Sequence, residues 1–177
     1  MEKKELRKTM KRRNMALTPV QRAEASARIF AQVEALPAFA AARTVALFVS
    51  LGDEPDTREA LERWRAARRV VVPRVEGETM RFFRYDPATM RPGAFGISEP
   101  GPEAEPCDPA AIDLMAVPGT AFTPSGARCG RGRGYYDRYL AQPSVRAVRV
   151  GICYRHQVVA ELPVEAHDAR MDVVVRD

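Results

Sequence analysis

The stretch Arg128 to Leu140, RCGRGRGYYDRYL, places glycines at every second position (Gly130, Gly132, Gly134). Arg128, Arg131 and Arg133 lie before and between them, and Tyr135, Tyr136 and Asp137 follow. Glycine has no β-carbon, so its backbone can come close to a ligand. Arginine presents paired N–H groups that match phosphate oxygens. An apolar run, AIDLMAVP, precedes this stretch and a helix-forming one, YYDRYLAQ, continues it. In a strand, loop and helix of that kind, backbone N–H groups face an anion, and phosphate is the natural guest. The spacing is GxGxG, which is neither the GxxxxGK of a Walker loop nor the GxGxxG of a dinucleotide fingerprint. On local pattern alone, a solvated surface turn or an arginine-glycine RNA-binding segment stays open.

The chain around this stretch has 177 residues, enough for one domain with a real core. Its 46% hydrophobic and 29% charged residues describe a folded globule, not a disordered chain. No apolar stretch approaches the length of a membrane span. The N-terminus, MEKKELRKTMKRRN, carries charge where a signal peptide needs a hydrophobic run, so the expected location is cytoplasmic, with no membrane partner. Cys107, Cys129 and Cys153 form neither a CxxC pair nor a finger spacing, which argues against disulfides and structural zinc. A net charge of +5 favours an anionic partner.

The elements that must position the glycine stretch follow from periodicity. Lys3 to Asn14 reads as helix. A second helix starts where Thr18 can cap and Pro19 suits the first turn, with Ile29, Val33 and Leu36 at helical spacing. The runs Thr44–Ser50, Arg69–Pro73, Ala111–Pro118 and Ala147–Tyr154 suit strands covered on both faces of a parallel sheet. DTREALERWRAARR supplies a helix between the first two, capped by Asp56 or Thr57. Met80 to Asp86 alternates as an edge or hairpin strand, and Pro87 to Pro109 should form an ordered, irregular loop.

In context, VPGTAFTPSGARCGRGRGYYDRYL resembles the signature of the 5-formyltetrahydrofolate cyclo-ligase family. KKELRK, SLGDEPDT, VVVPRV, MRFF, FGISEP and ELPVEAHDARMDVVV follow the family's order along nearly the whole chain. The resemblance implies an enzyme with ATP as co-substrate and Mg2+ as cofactor. ATP would phosphorylate the formyl oxygen of 5-formyltetrahydrofolate, nitrogen 10 would attack the activated carbon, and phosphate would leave. Such chemistry relies on positioning and charge neutralisation, and this chain has many arginines but only two histidines, His156 and His167.

Matched position by position, the resemblance implies that Lys3 and Arg7 reach ATP phosphates together with Arg128, Cys129, Gly130, Arg131, Gly132, Arg133, Gly134, Tyr135 and Tyr136. Arg131 to Tyr135 also line the folate side. Glu54 holds the pterin ring, with Val49 beside it; Met80 and Phe82 alternate on one strand face, either against the folate ring or in the core. Asp137 and Asp168 bind magnesium, and Arg133, Tyr135 and Glu54 are the catalytic set. Asp53, Asp56 and Thr57 are expected to serve the turn and helix cap, FGISEP to close the pocket, and Glu99 to be a candidate ligand contact. Thr123, Ala127, Cys129 and Arg133 depart from the family's usual residues. Cys129 lies among arginines, which favour thiolate, yet it occupies a leucine position and is expected to pack.

The expected architecture is a single α/β domain, residues 1–177: a three-layer, mainly parallel, Rossmann-like sheet with helices on both faces. N-terminal helices, about 2–36, pack on its core, and a monomer with no nucleic-acid partner is expected. The rival functions are another ATP-dependent ligase or kinase, or a non-catalytic RNA-binding protein.

Overall fold

A computed structural model describes residues 1–177. The helices are α1 (Lys3–Met15), α2 (Pro19–Glu34), α3 (Pro37–Ala41), α4 (Arg58–Arg65) and α5 (Tyr135–Leu140). The strands are β1 (Thr44–Ala46), β2 (Arg69–Glu76), β3 (Thr79–Arg84), β4 (Met90–Pro92), β5 (Ser98–Pro100), β6 (Leu114–Pro118), β7 (Ala121–Phe122), β8 (Arg128–Cys129), β9 (Val148–Cys153) and β10 (Val173–Arg176). Six strands form one sheet in the order β10-β9-β6-β1-β2-β3, parallel throughout except for the β2–β3 hairpin.

This order determines where helices and ligands can go. From β1 the chain passes through α4 to β2. It later returns to β6 on the other side of β1 and continues through α5 to β9. Right-handed crossovers in opposite directions place their helices on opposite faces. Leu61 and Trp64 of α4 accordingly join Ile29, Phe30 and Val33 of α2 in one core, and Tyr139 and Leu140 of α5 join Ala46, Val71 and Met115 in the other. Along β1 the side chains alternate, with Val45 and Leu47 in the first core and Ala46 in the second. The reversal between β1 and β6 is the topological switch point, where a crevice opens beyond the carboxyl ends of the strands.

Helix α2 shows the expected start: Thr18 Oγ1 accepts from Gln21 N–H, Gln21 returns the contact to Thr18 N–H, and Pro19 occupies the first turn. At α4 the N-cap is Thr57, whose side chain makes no capping bond but accepts from Ser50 N–H as its own N–H donates to Ser50 Oγ, while Asp56 Oδ1 accepts from Arg58 N–H. A third, smaller core docks α1: Leu6 and Met10 pack on Ala121 and Cys129 of the β7–β8 ribbon.

Several elements differ from the sequence-based expectation. The paired part of β1 ends at Ala46, not Ser50, although Leu47 N–H still donates to Val71 O of β2. The β6 run begins at Leu114, and Pro109–Ala111 forms a 3-10 turn capped by Asp108. The Pro- and Gly-rich loop contains the β4–β5 hairpin. Strand β10 was not expected: a short valine run beside charged residues has too little pattern to declare an edge strand.

Candidate active site

The glycine run leaves β8 and enters α5 at the switch point. Gly132 and Gly134 adopt φ of +105° and +71°, open at low cost only to glycine. The loop is held at several places. Arg7 Nε on α1 donates to Gly130 O at 2.8 Å, across 123 residues of sequence. Tyr135 OH donates to Gly77 O at 3.1 Å, and Arg138 Nη2 donates to Glu78 O and Arg133 O. Arg128 is buried: its Nε donates to Pro118 O at 2.8 Å, its Nη1 lies 3.5 Å from Asp137 Oδ1, and its guanidinium lies over the Tyr136 ring. Arg133 has no carboxylate partner and sits over the exposed Phe95 ring at 5.2 Å.

At one end of this wall Lys3 Nζ donates to Asp168 Oδ2 at 3.0 Å and approaches Glu165 at 3.5 Å. That contact with Asp168 raises the Lys3 pKa. Burial pushes the Asp168 carboxyl up, but the Glu165 N–H and Lys3 outweigh it and hold the group below its ordinary range. Asp137 Oδ1 accepts from Ala169 N–H at 2.9 Å, which brings Asp137 beside Asp168. Asp137 Oδ2 has no protein partner, and Asp168 Oδ1 faces only His167 Nε2, at 3.6 Å. These free carboxylate oxygens are the hard donors that magnesium prefers, in the number it usually takes from protein. Glu165, His167 and Asp168 also converge within 4.8 Å.

The opposite wall begins in the β1–α4 loop. Glu54 is buried; its Oε1 accepts from Leu51 N–H at 2.8 Å, and its backbone carbonyl accepts from Arg22 and from Tyr154 OH. Burial pushes the Glu54 carboxyl up, with Arg131 at 3.5 Å opposing. Val49, Pro73, Val75 and Met80 continue this wall, and Phe95 and Ile97 of the β4–β5 hairpin form its lip.

The two walls enclose a cleft of about 620 Å³. The structure brings every residue assigned from the sequence into it except Phe82. Although Phe82 shares a strand face with Met80, its ring is packed against Tyr139 in the second core at 4.9 Å, so it contacts no cleft. Asp53 also departs from its expected turn role: its carboxylate accepts from Arg131 Nη2 at 2.7 Å. Glu99 accepts from Val75 N–H and Ala94 N–H. Because β2 outruns β1 beyond Val71, that Val75 amide has no strand to pair with, and Glu99 occupies the place while fastening the lip. Burial raises the Cys129 thiol more than Arg7, Lys3 and Arg128 lower it, so the arginines do not make a thiolate there. At two of the family departures, Thr123 Oγ1 accepts from Ala127 N–H and closes the turn before β8.

Pro73 and Val75 line the cleft without having been singled out from the sequence, and Phe95 and Ile97 line it within the FGISEP segment expected to close the pocket. For Pro73 and Val75 the period-two spacing on β2 was the available signal. For Phe95 it was an aromatic within a segment already expected to close the pocket.

Comparison with known proteins speaks to the family and the fold. The model of the 5-formyltetrahydrofolate cyclo-ligase family matches residues 1–177. The 5-formyltetrahydrofolate cyclo-ligase of Escherichia coli K12 is 32% identical over 173 residues, covering 94% of this chain and 95% of its own. The mouse 5-formyltetrahydrofolate cyclo-ligase is 26% identical over 187 residues, covering 98% of this chain and 92% of its own. The solved structure of Aquifex aeolicus 5,10-methenyltetrahydrofolate synthetase superposes with a TM-score of 0.89 at 36% identity, over 99% of this chain and 90% of that one. A cleft at the switch point, walled by a glycine-arginine loop and by a buried acid, thus sits in a chain that belongs to the 5-formyltetrahydrofolate cyclo-ligase family.

Proposed function

We propose that this protein converts 5-formyltetrahydrofolate to 5,10-methenyltetrahydrofolate with ATP and magnesium, releasing ADP and phosphate. The observation that supports this reading best is the cleft: one wall offers cations and backbone amides, and the other offers a buried acid among apolar side chains. The formyl oxygen attacks the γ-phosphorus and ADP leaves. Nitrogen 10 then attacks the formyl carbon and loses its proton, and the carbon–oxygen bond breaks as phosphate departs. A formamide oxygen is a poor leaving group and phosphate is a good one, so phosphorylation makes ring closure feasible.

Phosphoryl transfer of this kind depends on charge placement. Lys3, Arg7 and the amides of Gly130 to Gly134 hold the nucleotide phosphates. Arg133, with no carboxylate partner, is free to follow the transferring group. Glu54 accepts from the N–H donors of the pterin ring, and Val49, Met80 and Tyr135 flank that ring. Asp137 and Asp168 would hold magnesium, which when bound draws charge from the phosphate oxygens. Every group in this reading belongs to one chain and acts as a monomer would. No helix is long and apolar enough to cross a membrane.

The test is the methenyl product's absorbance on mixing the protein with 5-formyltetrahydrofolate, magnesium and ATP. A rise that requires ATP, and fades in Asp137→Asn and Arg133→Ala, supports the reading. No rise with folded protein overturns it.

A further inference from the structure

Asp53 and Glu54 are adjacent, both buried, and both within reach of one cation, Arg131. The two contacts are unequal. Arg131 Nη2 lies 2.7 Å from Asp53 Oδ1 and 3.5 Å from Glu54 Oε2. Both carboxylates approach the same nitrogen, but they line different hollows. Glu54 and Arg131 line the main cleft, whereas Asp53 and Arg131 line a second hollow of about 360 Å³ behind it, against α1.

Asp53 is itself fixed from behind. Its backbone carbonyl accepts from Asn14 Nδ2 at 2.9 Å, and Asn14 Oδ1 accepts from His156 Nε2–H. Asn14 is buried, so helix α1, which also carries Lys3 and Arg7, is tied to the loop that carries both acids.

An arginine between two buried carboxylates goes to whichever offers the better charge-assisted contact. If Asp53 did not take Arg131, Arg131 would close the remaining distance to Glu54 Oε2, now 3.5 Å, and tie up that oxygen before any ligand arrived. We propose that Asp53 is a positioning residue: it holds Arg131 from outside the cleft, and so leaves the Glu54 carboxylate open to hydrogen-bond donors of the folate ring. The assignment of the folate ring to Glu54 rests on the function proposed above. The placement of Arg131 by Asp53 does not.

The experiment uses the full-length protein and the near-isosteric Asp53→Asn, with thermal unfolding as a check on folding. In the crystal structure of the free variant, Arg131 is expected to have moved onto Glu54. Arg131 left in its parental place would overturn the proposal, whatever the enzyme's substrate. In steady-state kinetics the KM for 5-formyltetrahydrofolate is expected to rise by about tenfold, the scale of one charge-assisted hydrogen bond, while the KM for ATP moves far less. A rise confined to ATP, or no change in either, would overturn it. In an Arg131→Gln background, Asp53→Asn should add nothing further to folate binding measured by calorimetry. A full additional loss there would make Asp53 a mere loop brace. If the parent neither binds nor converts the folate, the function proposed above fails, and the crystal structure still decides the role of Asp53.

Discussion

The two walls of the cleft are built on different physical principles. On the glycine side nearly every cation already has a protein partner: Lys3 has Asp168, Arg7 has Gly130 O, Arg128 has Pro118 O and Asp137, and Arg138 has Glu78 O. Arg133 stands apart with only an aromatic ring beneath it. The facing wall is mostly apolar packing around Glu54. A wall of charges needs this internal scaffolding because like charges brought together repel, and an ordered array must be fixed before the ligand arrives. A packed wall needs only shape. Mutations should therefore affect the two sides in different ways.

The largest effect is expected on the charged side. Asp137→Asn or Arg133→Ala should lower kcat by about a hundredfold or more, the scale of losing one preorganised electrostatic group in a transition state. Thermal stability should fall further in Asp137→Asn, because Asp137 also accepts from Ala169 N–H and Arg133 has no comparable contact. Equal kinetic losses from Val49→Ala would blur the distinction between the walls.

On the opposite wall, Glu54→Gln should raise the KM for folate by about tenfold, by analogy with other charged hydrogen bonds, with little effect on ATP. Burial raises the Glu54 pKa, so the charged form, which in the proposed reading accepts from the ring, appears only as pH climbs past the ordinary glutamate value of about 4.3. The acid limb of kcat/KM for folate should lie above that value in the parent and disappear in Glu54→Gln. A limb unchanged in the variant would remove Glu54 from the role.

Phe82 and Met80 sharpen the boundary between wall and core. Phe82→Ala should cost about 3–5 kcal/mol of stability, as buried phenylalanines do, and leave KM unaltered at a temperature where the protein stays folded. Met80→Ala should cost less and raise the KM for folate. Chemical denaturation and steady-state kinetics on the pair separate the two roles.

The smallest effect concerns the Lys3–Asp168 contact. Asp168 has a depressed folded pKa, so its contribution to stability is complete above the ordinary aspartate value of about 3.9 and is lost as pH falls through the depressed one. Thermal midpoints followed into acid should drop less steeply in Asp168→Asn than in the parent. At neutral pH, mild thiol alkylation should leave turnover unchanged, since Cys129 is buried and its thiol is pushed up. Loss of activity that Cys129→Ser prevents would reverse that reading.

What the sequence determined by itself is local or periodic. The capped start of α2, the alternation of β3, the crossover helix between β1 and β2, and the glycine run at a strand-to-helix junction all follow from spacing and backbone preference within a few residues. Family likeness then gave the cleft its candidate residues. Only the tertiary structure separated Met80 from Phe82, since period-two spacing states that two side chains share a face and not how far along it the cleft extends. It alone placed β10, whose valine run becomes a strand through its parallel pairing with β9. It alone moved Asp53 from a turn residue to the partner of Arg131, a contact spanning 78 positions of sequence. A long-range ion pair leaves no periodicity behind, because its energy depends on where two distant backbones happen to meet.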